Sequence, residues 1–526
     1  MPRIAIVIVV LAIISLCNAE AQESKGEKVD SAVIAQILEE GTQRSQVMEI
    51  LSYVADVYGP RLTGSPGFMR AAKWTMSKLT SWGVENAHLE GWGPFGRGWE
   101  LERYSANVIG AQAFPLLSYP RAWSPGTGGD VRGEVILLNA STDSALETFR
   151  GKLKGKFILT TGARSVKINF ENEAIRYTDS QLLEFANTEA PKTRRRRPVI
   201  PGAKERAQLE FKKLEMTREE GALALLSAAT FDGGSISVLS ATVPTPPDTP
   251  RARRMRVWNP KAPKILPQIE VAVEQYNRMV RMIQKGERLQ MEMNLEVKFF
   301  KEDSGYNVIA EIPGTDLKDE LVMIGAHLDS WHGATGATDN GTGVAVCMEA
   351  MRILKALDLK PRRTIRIALW GGEEQGELGS RAYVRKHFVQ KAATSDDETI
   401  LTPAGENISV YFNDDNGTGK FRGVFMEGND AARPIFRKWF TALDPLGSYT
   451  LTHSGTGSTD HVQFDEVGLP AFQFIQDDIE YFARTWHSTM DFYDRAIEDD
   501  LKQGAVIMAV FAYNAAMRDE KIPRKR

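Results

Sequence analysis

The sequence predicts an α/β fold in three layers, a mixed, mostly parallel sheet covered by helices on both faces. Apolar segments of strand length recur at Leu321–Ile324, Arg363–Leu369, Ile408–Phe412 and Phe472–Ile475. An unbroken apolar run is what a strand buried on both faces requires. Helical patterns such as Val344–Leu354 separate these segments, and strand–helix alternation implies crossover connections between parallel strands. The runs stop abruptly at polar residues, so functional groups gather at the carboxyl edge of a sheet, where open α/β folds bind ligands.

From the amino terminus, Met1 to Ala19 carries one early charge, Arg3, an apolar core and a small-residue finish at Cys17-Asn18-Ala19. This is the pattern of a secretory signal peptide, shorter than the ~20 apolar residues a membrane span needs. It predicts a secreted or periplasmic protein with no membrane span once the signal, 1–19, is removed. Cys17 raises lipid attachment as an alternative, although Leu16 before it suits that processing poorly. Cys347 is the other of two cysteines, so the mature chain can form no internal disulfide and must rest on a large core. Its 526 residues can supply one and predict two or three domains. A net charge of −3 gives no reason to expect nucleic acid. Oligomeric state is not legible.

Residues 20–118 are expected to form the first part of the main domain. Val47, Ile50, Leu51, Val54 and Val57 recur at helical spacing, and the region from about Ser31 to Trp92 is expected to be helical around a break at Gly59–Gly67. That break reads as glycine and proline punctuation. Between 119 and 288 the character changes to short strands (EVILL, KFILT), long polar stretches, a glycine-led apolar run (GALALLSAA) and a proline-rich segment, which sets this stretch apart from its flanks. The basic runs Arg194–Arg197 and Arg251–Arg256 within it read as solvated loops or as contacts for an anionic surface. Residues 289–526 are expected to complete the main domain, closing with a helix over Leu501–Met517.

The chemistry-bearing residues lie after the strands. His327 and Asp329 end the first, and Asp339 follows in a glycine-rich turn. Histidine and aspartate are zinc ligands, and Asp329 could accept the second imidazole N–H. Glu373 and Glu374 end the next strand: adjacent carboxylates repel unless a cation holds them, though a helix starting near Glu374 would also favour them. Asn413-Asp414-Asp415 ends the third and could be an Asx-rich turn. His487 lies among aromatics near the carboxyl terminus. Two zinc ions ~3.5–4 Å apart would need about this ligand set for metal-assisted hydrolysis.

In order, spacing and local sequence these residues resemble the co-catalytic zinc exopeptidases, a family that includes bacterial leucyl aminopeptidases, glutamate carboxypeptidases and carboxypeptidase Q types. The resemblance implies two zinc ions per chain and a peptide substrate. It would make His327 and Asp415 ligands of one zinc, Glu374 and His487 ligands of the other, and Asp339 the bridge, with a cis peptide to Asn340. Asp414 competes with Asp415. Glu373 would be the general base and Asp329 the partner of His327. The 119–288 stretch resembles the β-rich protease-associated domain that several relatives insert. The glutamate carboxypeptidases place an oxyanion-holding tyrosine before the last histidine, where this chain has Trp486, so Tyr481 or another group would supply that donor. His88, His332, His387, His453 and His461 are expected to be structural. Rival readings are a non-catalytic binding protein on this scaffold and a glutaminyl cyclase-like acyltransferase with one zinc. Neither Arg381 nor Arg484 fixes which peptide end is read.

Overall fold

The structure is a computed structural model describing residues 27–188, 202–250, 253–301, 304–392 and 395–525. The expected signal peptide and the run Arg194–Arg197 lie outside the described residues. No helix among the described residues is long and apolar enough to cross a membrane.

Eight strands form the main sheet, in the order Glu85–Trp92, Gly305–Ile312, Arg363–Trp370, Leu317–His327, Ile408–Asn413, Ala471–Gln476, Phe421–Phe425 and Thr450–Thr452. The four central strands run parallel to one another, and antiparallel pairs flank them. Along the strand ending at His327, Val322, Ile324 and Ala326 face one core with helices Thr342–Ala356 and Glu498–Met517. Leu321 and Met323 face another, with Tyr383, Val384 and Phe464. Both faces are therefore covered, which is why the strand reads as a continuous apolar run; each of its valine, isoleucine, leucine and methionine side chains contributes about 1.5–3 kcal/mol on burial. The register sets His327 beside Trp370 and Gly325 beside Asn413, so the residues after each strand emerge at one edge.

Two local expectations fail. Within the Ser31–Trp92 region, helices cover Ser31–Gln43, Val47–Ser52 and Pro66–Ser81, but Glu85–Trp92 is an edge strand. It pairs on one side only, and its partly exposed, polar-rich sequence lacks the alternation that marks a strand. No helix starts near Glu374: Gly372 takes φ 79°, the chain turns through Glu373–Gly376, and the helix begins at Leu378.

A second eight-stranded sheet has its own core, including Phe157, Leu226, Val271 and Met291. Its two longest strands, Gly98–Ile109 and Leu289–Phe300, pair near one edge of the sheet and lie outside 119–288. Leu289, Met291, Met293 and Leu295 point into this core, alternating with polar residues as a strand with one buried face requires.

Candidate metal centre

Asp339 stands between two histidines. His327 Nε2 lies 3.3 Å from Asp339 Oδ1 and 3.3 Å from Asp415 Oδ1. His487 Nε2 lies 3.5 Å from Asp339 Oδ2 and 3.0 Å from Glu374 Oε2. Two triads result, His327–Asp339–Asp415 and Asp339–Glu374–His487, with the ligand atoms of each within 4.8 Å of one another. The Asp339–Asn340 peptide is cis, as the resemblance implies. Asp414 stays apart: its carboxylate is buried with neither oxygen hydrogen-bonded among the described residues, while its backbone carbonyl accepts from Asn340 Nδ2 at 2.8 Å. Successive residues leaving a strand point opposite ways, so only one of the pair can reach the triad.

The residues fit a metal pair. His327 Nε2, Asp339 Oδ2 and Glu374 Oε1 are buried and make no hydrogen bond among the described residues. Buried polar atoms are nearly always satisfied, and a ring nitrogen and carboxylate oxygens converging without partners is a donor set for cations.

Asp329 does something other than orient His327 through its carboxylate. His327 Nδ1 donates to the Asp329 backbone carbonyl at 2.9 Å, which fixes the tautomer with Nε2 free, whereas the carboxylate is 3.7 Å away. That carboxylate accepts from Thr63 Oγ1 at 2.9 Å and from the backbone N–H groups of Glu373 at 3.1 Å and Glu374 at 3.3 Å. It pins the turn that carries both glutamates. The fully buried Arg61 pins the other side, donating to the carbonyls of Val54, Leu328, Thr335 and Gly336. Asp491 accepts from Thr338 N–H at 2.6 Å and Asp339 N–H at 3.0 Å. The sequence reads the turn that carries Arg61 and Thr63 as structural and assigns Asp491 no role. The signals were there, in the Gly59–Gly67 break and four residues after His487, but only tertiary contact gives them meaning.

Burial works to raise the Asp339 carboxyl, but His327 and His487, with a smaller contribution from the buried Tyr481, outweigh it and hold the carboxyl below its ordinary value. Trp486 is exposed and stacks on the His487 ring with centroids 3.9 Å apart. The other five histidines bond elsewhere: His88 to Asn86 O, His332 to Pro120 O, His387 to Glu90, His453 to Asp430 and His461 to Glu427.

Crowded carboxylates shape the electrostatics. Burial pushes the Glu373 carboxyl well above its ordinary value, with the charges of Asp415, Asp460 and Glu374 adding to the shift. Burial and the Asp339 charge push Glu374 up to about 7. For His487 burial works against the cation, but the charge and hydrogen bond of Glu374, then Asp339, outweigh it and raise the imidazole to about 9. His327 is likewise raised: burial opposes, and Asp415 and Asp339 prevail. The centre is an anionic pocket that demands positive charge.

Residues 307–512 match the profile of peptidase family M28. Carboxypeptidase Q of Bos taurus is 27% identical over 92% of this chain and 88% of its own length. Among solved structures, a peptidase M28 precursor from Shewanella amazonensis aligns with TM-score 0.65 at 22% identity, covering 94% of this chain and 99% of its own. A zinc aminopeptidase from Bacillus subtilis aligns with TM-score 0.54 at 19% identity, covering 91% and 96%. The two structures share the fold.

Proposed function

The chain is a metallo-exopeptidase carrying a family M28 domain over residues 307–512, and from that premise we propose that it is an exported two-zinc enzyme that removes residues from one end of short peptides. The observation that carries the proposal is the pair of triads sharing Asp339. Likeness to carboxypeptidase Q and to a zinc aminopeptidase supports the metal and the substrate class, and the Met1–Ala19 pattern supports export. The second sheet, from Gly98 to Phe300, is read as a body inserted between the two parts of the catalytic unit.

In this reading His327, Asp339 and Asp415 hold one zinc, and Asp339, Glu374 and His487 the other. When bound, the ions supply Lewis acidity for the scissile carbonyl and bring a water's pKa toward neutrality. Glu373 accepts the attacking water's proton and returns it to the leaving amine; its raised carboxyl pKa suits both directions of transfer. Asp329 holds the Glu373 N–H and so sets the reach of that carboxyl. Tyr481 offers a phenolic O–H toward the carbonyl oxygen where the Trp486 indole offers only an N–H.

The test is a panel of dipeptides and end-blocked peptides with the zinc-loaded mature protein. Hydrolysis of free dipeptides is expected. Cleavage surviving N-terminal acetylation excludes a strict aminopeptidase, and no hydrolysis of any member would sink the proposal.

A further inference from the structure

The loop 477–491 brings His487 to the centre, and its backbone is unusual at two places. Ile479 and His487 both take φ 52°, the left-handed region. A β-branched residue there is a true outlier, and such conformations persist only where surroundings hold them. Both places are where segments of the 119–288 stretch cross the loop.

At the first, Ile175 and Ile479 form an isolated antiparallel bridge, exchanging N–H to carbonyl bonds of 2.8 Å in each direction. Arg176 and the Tyr177 N–H reinforce it at the Asp477 carboxylate, at 3.1 and 2.9 Å, and Arg484 bonds Glu173. At the second, Ser237 and Ser488 form another antiparallel bridge. Val238 N–H donates to the His487 carbonyl at 2.8 Å, Thr489 N–H to the Ile236 carbonyl at 2.9 Å, and Ile236 N–H to Thr489 Oγ1 at 3.2 Å. The Val238 side chain lines the same cavity as Asp339, Glu374 and His487. It approaches Gly333 so closely that a Cβ there would lie 2.0 Å from Val238 Cγ1.

From these contacts we infer that Ile175 and Ile236–Val238 are positioning residues for the metal centre: two backbone straps that fix His487 and thereby complete the Asp339–Glu374–His487 triad. Neither strap lies within the segment matched to the peptidase family. The β-rich body is thus a working part of the second metal site, and Val238 is a wall of its cavity. Among the described residues His327 and Asp415 lie off the strapped loop, whereas Asp339 is held by Asp491 within it, so perturbing a strap acts first on the zinc that His487 would hold.

The inference rests on the zinc reading above, and its test separates the two. Val238→Pro removes the amide that holds the His487 carbonyl, whereas Val238→Ala keeps it. Zinc per chain is counted after equilibration with graded chelator, with folding followed by circular dichroism. Folded Val238→Pro is expected to hold one zinc as tightly as wild type and to lose the other at about tenfold lower chelator, the scale on which lost outer supports weaken metal binding. Val238→Ala is expected to keep both. Should Val238→Pro not fold, Ile175→Pro and Thr489→Val decide, each expected to weaken one zinc. Wild-type chelator midpoints in the folded strap variants would overturn the inference alone, while a wild-type chain that takes up no zinc would overturn the reading beneath it.

Discussion

Asp329→Asn is a nearly isosteric change at a residue that no ligand list would include. The carboxylate takes three donors: Thr63 Oγ1 and Glu374 N–H on Oδ2, and Glu373 N–H on Oδ1. An asparagine has one acceptor oxygen. Placed at the Oδ2 position it keeps Thr63 and Glu374 but turns an NH₂ group against the Glu373 N–H. Placed at Oδ1 it keeps Glu373 and loses two donors. At least one hydrogen bond to a charged group is lost, about 1.5–3 kcal/mol, at the amide that places the proposed general base. Through the transition-state relation, in which each ~1.4 kcal/mol is tenfold, that is a loss in kcat of about 10–100-fold. Folding is affected less, because the neutral amide also avoids the cost of burying a carboxylate. The assay is kcat and KM on a free dipeptide, with zinc counted per chain. Thr63→Ala, which removes only the hydroxyl donor, is expected to give a smaller loss. An Asp329→Asn enzyme within twofold of wild-type kcat would refute the positioning role.

Three further outcomes follow from the same geometry. Glu374→Gln weakens a proposed ligand, so zinc content should fall and excess zinc should partly restore turnover; full metal content with no activity would reverse the assigned roles. Tyr481→Phe should keep both zincs and lower kcat by about 10²–10³-fold, the usual cost of one oxyanion donor; unchanged kcat would move that role elsewhere. His487 is raised to about 9 and Glu374 to about 7, so without metal His487 keeps its proton at pH 7 and Glu374 about half of its own. Ligation requires the deprotonated forms, so zinc binding should release protons and strengthen as pH rises from 6 to 8. Calorimetry in buffers of different ionisation enthalpy reads this directly, and binding without proton release would contradict it.

Of the residues that the structure brings together at the candidate centre, His327, Glu374 and Asp415 were legible because each comes at or just after the end of a strand that both core faces force to be apolar, so the change to polar residues marks the sheet edge; Asp339 and His487 lie in turns farther along the chain. Between Asp414 and Asp415 the sequence could not choose on physical grounds: they are adjacent, and only the exit angle of Ile408–Asn413 decides which side chain reaches His327. The second sheet was read short at both ends because Gly98–Ile109 and Leu289–Phe300 pair across nearly two hundred residues of chain. The supports around the ligands were hidden for the same reason. Thr63, Arg61, Asp491 and Ile236–Val238 are ordinary in their own neighbourhoods, and the role of Asp329 toward Glu373 and Glu374 is a backbone contact that no side-chain pattern announces.

Glu373→Gln tests the central claim most directly, because it removes the proton acceptor while preserving size and leaving every proposed zinc ligand in place. With the variant shown to be folded, zinc per chain and dipeptide turnover are measured on the same preparation. Two zincs per chain with turnover reduced by about 10²–10⁴-fold is the result predicted; wild-type turnover, or loss of zinc from the variant, would contradict the assignment of Glu373 as the base beside an intact metal pair.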